Sequence, residues 1–437
     1  MTDAATKERP HALAAYVAVT AAYWAFTLSD GALRMLVLLH FHTLGFSPVQ
    51  LAYLFLLYEF MGVVTNLSAG WIAARFGLTT TLYTGLGLQI VALIALSMLD
   101  PGWAMALSVA VVMVVQGVSG VAKDLAKMSS KSAVKLLAPE NEKGALFRWV
   151  AVLTGSKNAV KGLGFLVGAA VLGLFGFTAS VIGMAVLLAA ILTAVVACMP
   201  PGLPRGKKTA KFREVFSKDA NINRLSAARL FLFGARDVWF VVGIPIYFYA
   251  VLSDGTASGN RDAFFMVGGF MAIWIIGYGV IQAATPKFLR AKEKSVAEAV
   301  GLARRWVGLL TMVIAALAFA AVAATVQTGA VGAWIARLGD PAIWLTAALV
   351  IGLLVFGAVF AVNSSLHSYL ILAFSQADRV TMDVGFYYMS NAAGRLIGTL
   401  LSGLSYQFGG LSLCLATAAA MSALSWLCAG WLKRDPG

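Results

Sequence analysis

Charge is what this chain has least of. Only 12% of its 437 residues are Asp, Glu, Lys or Arg, while 60% are hydrophobic, and the mean hydropathy is +0.84. A water-soluble fold cannot bury that much apolar surface, so the composition requires lipid as the solvent. Acids are scarcer than bases: 19 Asp and Glu stand against 33 Lys and Arg, a formal net charge of +14. The excess lies mostly in short loops between apolar runs, so it reads as a topology signal and not as a nucleic-acid interface. The three cysteines, Cys198, Cys414 and Cys428, sit in apolar segments without metal-ligand spacing and read as packing residues. No nucleophile motif, metal-ligand spacing or phosphate loop is found, which argues against an enzyme, a bound metal or cofactor, and a nucleotide-driven pump. Met1–His11 is polar and the apolar run after it is too long for a signal-peptide core, so no cleavable signal is expected.

What the chain does have is a series of apolar runs. Turn signals such as Gly45–Phe46–Ser47–Pro48 and Asp100–Pro101–Gly102 divide it into twelve expected helices: 13–44, 49–74, 79–99, 103–130, 145–175, 177–199, 224–252, 262–285, 297–325, 341–374, 380–408 and 410–432. A proline-rich basic stretch, 200–223, separates the first six from the last six. The expected organisation is therefore a bundle over 1–199, a linker over 200–223 and a second bundle over 224–437. Lys and Arg cluster in that linker and between helices eight and nine, which predicts an inner-membrane protein with linker and both termini on the cytoplasmic side.

The halves resemble each other. Gly31–Ala32 in helix one, flanked by Asp30 and Arg34, is echoed by Gly234–Ala235 before Arg236 and Asp237 in helix seven. Ser129–Ser130 precedes Asn158 by 28 residues, and Ser364–Ser365 precedes Asn391 by 26. Each Asn is followed by glycines and a base, Lys161 or Arg395. Such a parallel repeat is the architecture of the major facilitator superfamily, whose substrate site lies between two pseudo-symmetric six-helix bundles. The superfamily loop signature G-x-x-x-D-R-x-G-x-R-R is degenerate at Gly70–Thr80: both glycines and Arg75 stand, but Ala74 replaces the acid and Thr79–Thr80 the basic pair. The fold class expected is thus an all-α membrane protein of twelve transmembrane helices.

Ionisable groups inside spans are costly and usually face a cavity. Lys123, Lys127 and Lys131 fall at i, i+4 and i+8, on one helix face. Lys157 and Lys161 repeat the spacing, with Lys157 roughly 18 Å beyond the start of its helix and so near mid-membrane. Lys131 and Lys135 read as surface anchors; Lys123 and Lys127 read equally as ligands or as partners of Asp124. Arg34 and Arg236 lie near Asp30 and Asp237, and an ion pair within each helix is the bland account. Arg395 has no acid within one turn and reads as the best single anion ligand. The surplus of buried bases calls for an anionic substrate. Asp30, Glu59 and Asp237 are the carboxylates suited to proton coupling, or equally to structural pairing. His40 and His42, at i, i+2, share no helical face and do not suggest a metal site, and His367 reads as a satisfied polar residue.

The stretches 23–48, 59–71, 120–137 and 148–168 resemble the organoarsenical efflux permease family, ArsJ. The resemblance implies export of 1-arseno-3-phosphoglycerate, which forms when glyceraldehyde-3-phosphate dehydrogenase uses arsenate in place of phosphate. That dehydrogenase would be a functional partner, and pump and enzyme together would confer arsenate resistance. A substrate with two anionic ends suits two basic clusters: Lys123, Lys127, Lys157 and Lys161 from the first half, Arg236 and Arg395 from the second, with Arg34 serving either. Asn158 and Asn391 would bond the glycerate oxygens. A general organophosphate or phosphate exchanger would use the same residues, and a non-transporting membrane sensor is the reading from another class.

Overall fold

The computed structural model describes residues 2–137, 145–199, 219–289, 295–326, 339–375 and 380–433, with 217, 328, 332 and 337 between them. All of the expected linker but Ser217 and Asp219–Asn223 therefore lies outside the described residues, as does the side chain of Arg75. Among the described residues ten α-helices follow in order: α1 (Thr2–Thr43), α2 (Pro48–Ser97), α3 (Met105–Leu137), α4 (Ala145–Cys198), α5 (Ala220–Val238), α6 (Ile244–Leu252), α7 (Ala257–Phe288), α8 (Val296–Ala323), α9 (Pro341–Phe374) and α10 (Val380–Gly430). A π-helical turn, Trp239–Gly243, joins α5 to α6.

Three of these helices are folded pairs. The helical path breaks at Gly77 in α2 and Gly176 in α4, both with φ +74°, and at Gly409–Gly410 in α10. A side chain would strain the positive φ at Gly77 and Gly176, so glycine alone reverses the chain there cheaply. With each break counted as a boundary, and α5 to α6 as one span, the described residues make twelve crossings, as the apolar runs predicted. The differences are at the ends. The first helix begins at Thr2 instead of 13, and the seventh span at Ala220 instead of 224, where Asp219 accepts from the amides of Asn221 and Ile222 and caps it. Ser47 and Gln50 form a capping box with Pro48 at the first helical position, as do Ser295 and Glu298 at α8. Large apolar side chains such as Phe319, Phe408 and Ile351 are exposed on the outside of the bundle, as a lipid-facing surface requires. The protein is a multi-pass membrane protein.

The π turn has an identifiable cause. Pro245 has no amide to give to the carbonyl one turn earlier, so the regular ladder cannot continue through it. Ser402 of α10 accepts from the amides of Val242 and Gly243, at 3.2 and 3.3 Å, and Cys414 donates to the Val238 carbonyl. Cys414 therefore satisfies a carbonyl at the π turn as well as packing.

Glycine lets the helices of each half approach closely, and it does so twice in the same way. The Lys161 carbonyl faces Gly31 of α1, and the Gly394 carbonyl faces Gly234 of α5. Each carbonyl lies three residues after an asparagine, Asn158 and Asn391 respectively, so the internal repeat extends to the packing. Farther along α4, a Cβ on Gly168 would collide with the Ala32 backbone. Gly168→Ala should cost about 1–3 kcal/mol through overpacking against a backbone that cannot yield. The thermal unfolding midpoint of the purified variant checks this, and an unchanged midpoint would contradict it.

Candidate functional site

The charged residues inside the spans converge where α1–α4 meet α5–α10. Glu59 of α2 is almost fully buried and accepts from Arg34 Nη2 of α1 at 3.1 Å and from Arg395 Nη2 of α10 at 2.6 Å. The same Arg395 donates from Nε to Asp237 Oδ2 of α5 at 3.1 Å, and Asp237 Oδ1 also accepts from Arg236 at 2.5 Å. Three arginines and two carboxylates thus form one chain across the two halves. Arg34 lies beside the rings of Phe55 and Tyr58, and Arg236 beside Phe233 and Phe360, so the guanidinium faces not used in ion pairs rest on aromatics.

Two lysine clusters adjoin this chain in the first half. Asp30 accepts from the Tyr58 hydroxyl at 2.6 Å and pairs with Lys161 Nζ at 3.8 Å. Lys123 Nζ stands 4.0 Å from the centre of the Tyr58 ring. One turn along α3, Lys127 donates to Asn66 at 2.8 Å and to Asp124 at 3.3 Å, while Thr65 donates to the other Asp124 oxygen.

The carboxylates stand behind the bases. Glu59, Asp124 and Asp237 have side-chain exposures of 1% and Asp30 of 7%, whereas Arg34, Arg236, Arg395, Lys161 and Lys127 range from 10 to 25%. What a ligand between the halves would meet is therefore positive. Among the described residues six bases (these five and Lys123) and four acids take part in these contacts, a surplus of two bases.

A further base lies one to two turns away. Arg229 of α5 is 4% exposed. It donates from Nε to Asn391 Oδ1 at 3.1 Å and from Nη1 to Ser364 O and Oγ, both at 3.2 Å. Tyr278 and Gln282 donate to the same Ser364 hydroxyl, at 3.3 and 3.1 Å, and Asn158 of α4 donates to Gln282 Oε1 at 3.3 Å. Among the described residues Arg229 has no carboxylate partner. Asp383, the buried acid of α10, lies two turns before Asn391 and outside these contacts.

The structure brings the sequence-chosen charged residues whose contacts are described into one cluster, with unexpected partners for Arg34 and Arg395, and places Asn158 and Asn391 beside Gln282 and Arg229 instead. Arg34 pairs with Glu59, not Asp30, because α2 lies against it while Asp30 turns to Tyr58 and Lys161. Arg395, which lacks an acid in its own turn, has two from other helices, Glu59 and Asp237. His367 is not a satisfied polar residue: it is fully buried and neither ring nitrogen has a hydrogen-bond partner among the described residues. Arg236 does pair with Asp237. Lys157 is half-buried one turn before Lys161, and Lys131 lies outside the described side chains. Sequence reasoning passed over Arg229, Tyr58 and Asn66. Arg229 carried a usable signal, a cation more than two turns inside an apolar span, but no neighbouring acid or repeat partner drew attention to it.

Two halves of six spans with an ion network between them are arranged as in the major facilitator fold. In particular, the chain is similar to the crystal structure of a mutant of the nucleoside transporter NupG, with a TM-score of 0.65 over 96% of this chain and 98% of that one. The identity is 15%, so the likeness is one of fold. No family model matches the chain, and no curated protein matches it.

Proposed function

We propose that the protein is a secondary transporter of a small organic anion, working by alternating access of its two halves around the charged cluster. The observation that carries this is the charge balance: bases in front, carboxylates behind, and a surplus of two bases among the described contacts. An uncompensated charge there costs several kcal/mol, and an anionic substrate supplies the missing negative charge. A neutral nucleoside, the class named for NupG, would leave the surplus standing.

Within that reading the substrate we propose is 1-arseno-3-phosphoglycerate, exported from the cytoplasm across an inner membrane with both termini inside. Its support is the position of the residues that carry the ArsJ resemblance. Asp30, Arg34, Glu59, Asn66, Lys123, Asp124, Lys127 and Lys161 all fall in the stretches 23–48, 59–71, 120–137 and 148–168, and all belong to the cluster. Glyceraldehyde-3-phosphate dehydrogenase would be the functional partner that makes the substrate. A second reading, an organophosphate exchanger, draws on the same charge surplus.

Everted membrane vesicles carrying the protein separate the two. Supplied with arsenate, glyceraldehyde-3-phosphate, NAD and the dehydrogenase, they should accumulate arsenic, and omission of any one component should reduce accumulation to that of vesicles without the protein. Accumulation with arsenate alone would indicate an oxyanion carrier. Accumulation of 3-phosphoglycerate without arsenic would sink the arsenical reading and leave the exchanger.

A further inference from the structure

Positive charge without a carboxylate lies in two places, the second of them outside the cluster. One is the arginine–carboxylate chain with Lys123 and Lys161. The other is Arg229, seven residues before Arg236 on α5 and so about 10 Å away along the helix axis. A buried arginine without a carboxylate is costly, and the hydroxyls, the amides and the Phe233 and Tyr387 rings beside its guanidinium, 4.0 and 5.0 Å from it, offset that only in part. The groups around Arg229 do not complete its neutralisation. Three donors, from Arg229, Tyr278 and Gln282, converge on the single Ser364 hydroxyl, which has only two lone pairs to offer. Arg229 Nη2 donates to no protein group among the described residues. Behind it stands His367, fully buried, with both ring nitrogens unpartnered. Donors in excess, a cation without an anion, and a buried imidazole left unsatisfied are the marks of a site whose acceptor arrives with a ligand. Asn391 and Gln282 flank Arg229 and are half-buried, which places two amides at the margin of the site.

We infer that Arg229, flanked by Asn391 and Gln282, is a second anion subsite, and that the substrate is a small organic molecule with an anionic group at each end, one at the Arg34–Arg395 cluster and one at Arg229. A three-carbon chain with an ester oxygen at each terminus spans roughly 8 Å between its end groups, given bonds of about 1.5 Å, which suits the separation of the two charges. The inference rests on the anion-transporter reading and adds Arg229, which the sequence did not single out, as the residue that selects two-ended anions.

The test uses the full chain in lipid nanodiscs and two stable probes: 3-phosphoglycerate, anionic at both ends, and glycerol 3-phosphate, anionic at one. Calorimetric affinities should favour 3-phosphoglycerate at least tenfold, and Arg229→Gln should bring the ratio to near one. Binding of neither probe to the unaltered protein would overturn the anion-transporter reading itself. Equal binding of both, or a ratio that survives in a folded R229Q protein, would overturn the second subsite alone. Should R229Q not yield a monodisperse protein, Asn391→Ala and Gln282→Ala keep the arginine and serve instead. Each should lower the ratio about threefold, and an unchanged ratio in both would equally overturn the subsite.

Discussion

Replacement of Arg395 by alanine should reduce vesicle transport at least a hundredfold while leaving the protein folded. Arg395 is the only described residue that touches buried carboxylates of both halves, Glu59 and Asp237. Its removal leaves two intact one-to-one pairs, Arg34 with Glu59 and Arg236 with Asp237. No carboxylate is orphaned, so the penalty for breaking a buried pair, about 3–5 kcal/mol, does not apply in full. What is lost is the bridge between halves and one unit of the positive surplus. The measurement is transport in everted vesicles beside the thermal midpoint of the purified variant. Near-normal transport would refute a role for Arg395, and loss of folding together with transport would mean that the two remaining pairs are not self-sufficient.

Glu59→Ala should do the opposite to stability. Glu59 is shared by two arginines, and its removal leaves Arg34 without any carboxylate in an almost fully buried setting. The expected cost is about 3–5 kcal/mol, which for a chain of this length corresponds to a fall in melting midpoint of roughly 3–5 °C. Glu59→Gln keeps an acceptor for one arginine and should fall between. The comparison E59A against R395A is the informative one, since both break the same Glu59–Arg395 contact. If the two variants lose equal stability, the contact itself carries the energy; if E59A loses far more, as expected, the unpaired Arg34 carries it.

The spans were legible because a membrane imposes one rule on every helix: about 20 apolar residues between polar ends. The breaks at Gly77, Gly176 and Gly409–Gly410 fell where turn residues interrupted the apolar runs. The halves were legible through Gly31 and Gly234, and through Asn158 and Asn391, because a close backbone approach requires glycine and leaves a recurring pattern. The choice of charged residues was also legible, since cations within apolar runs are rare enough to stand out. Partners were not. Spacing along one helix suggested Asp30 for Arg34 and none for Arg395, yet the actual partner of one and both partners of the other come from different helices. A one-dimensional pattern records which face a residue occupies, not what another helix presents to it. Arg229 went unread for the same reason: its neighbours Ser364, Tyr278, Gln282 and Asn391 come from three other helices.

The arrangement of carboxylates behind arginines has a consequence for timing. An anion that reaches Arg34 and Arg395 does not meet bare guanidinium groups; it meets groups already engaged by Glu59 and Asp237. Its gain on binding is only the difference between its own contacts and those it loosens, so the dissociation constant is weaker than two arginines alone would set. Since affinity differences appear mainly in the off-rate, such a ligand would dwell more briefly than on two unpaired arginines. A receptor with this geometry would be a poor sensor, because it would forget its signal quickly. For a carrier, which must discharge on one side of a membrane what it loads on the other, brief residence keeps the cycle turning.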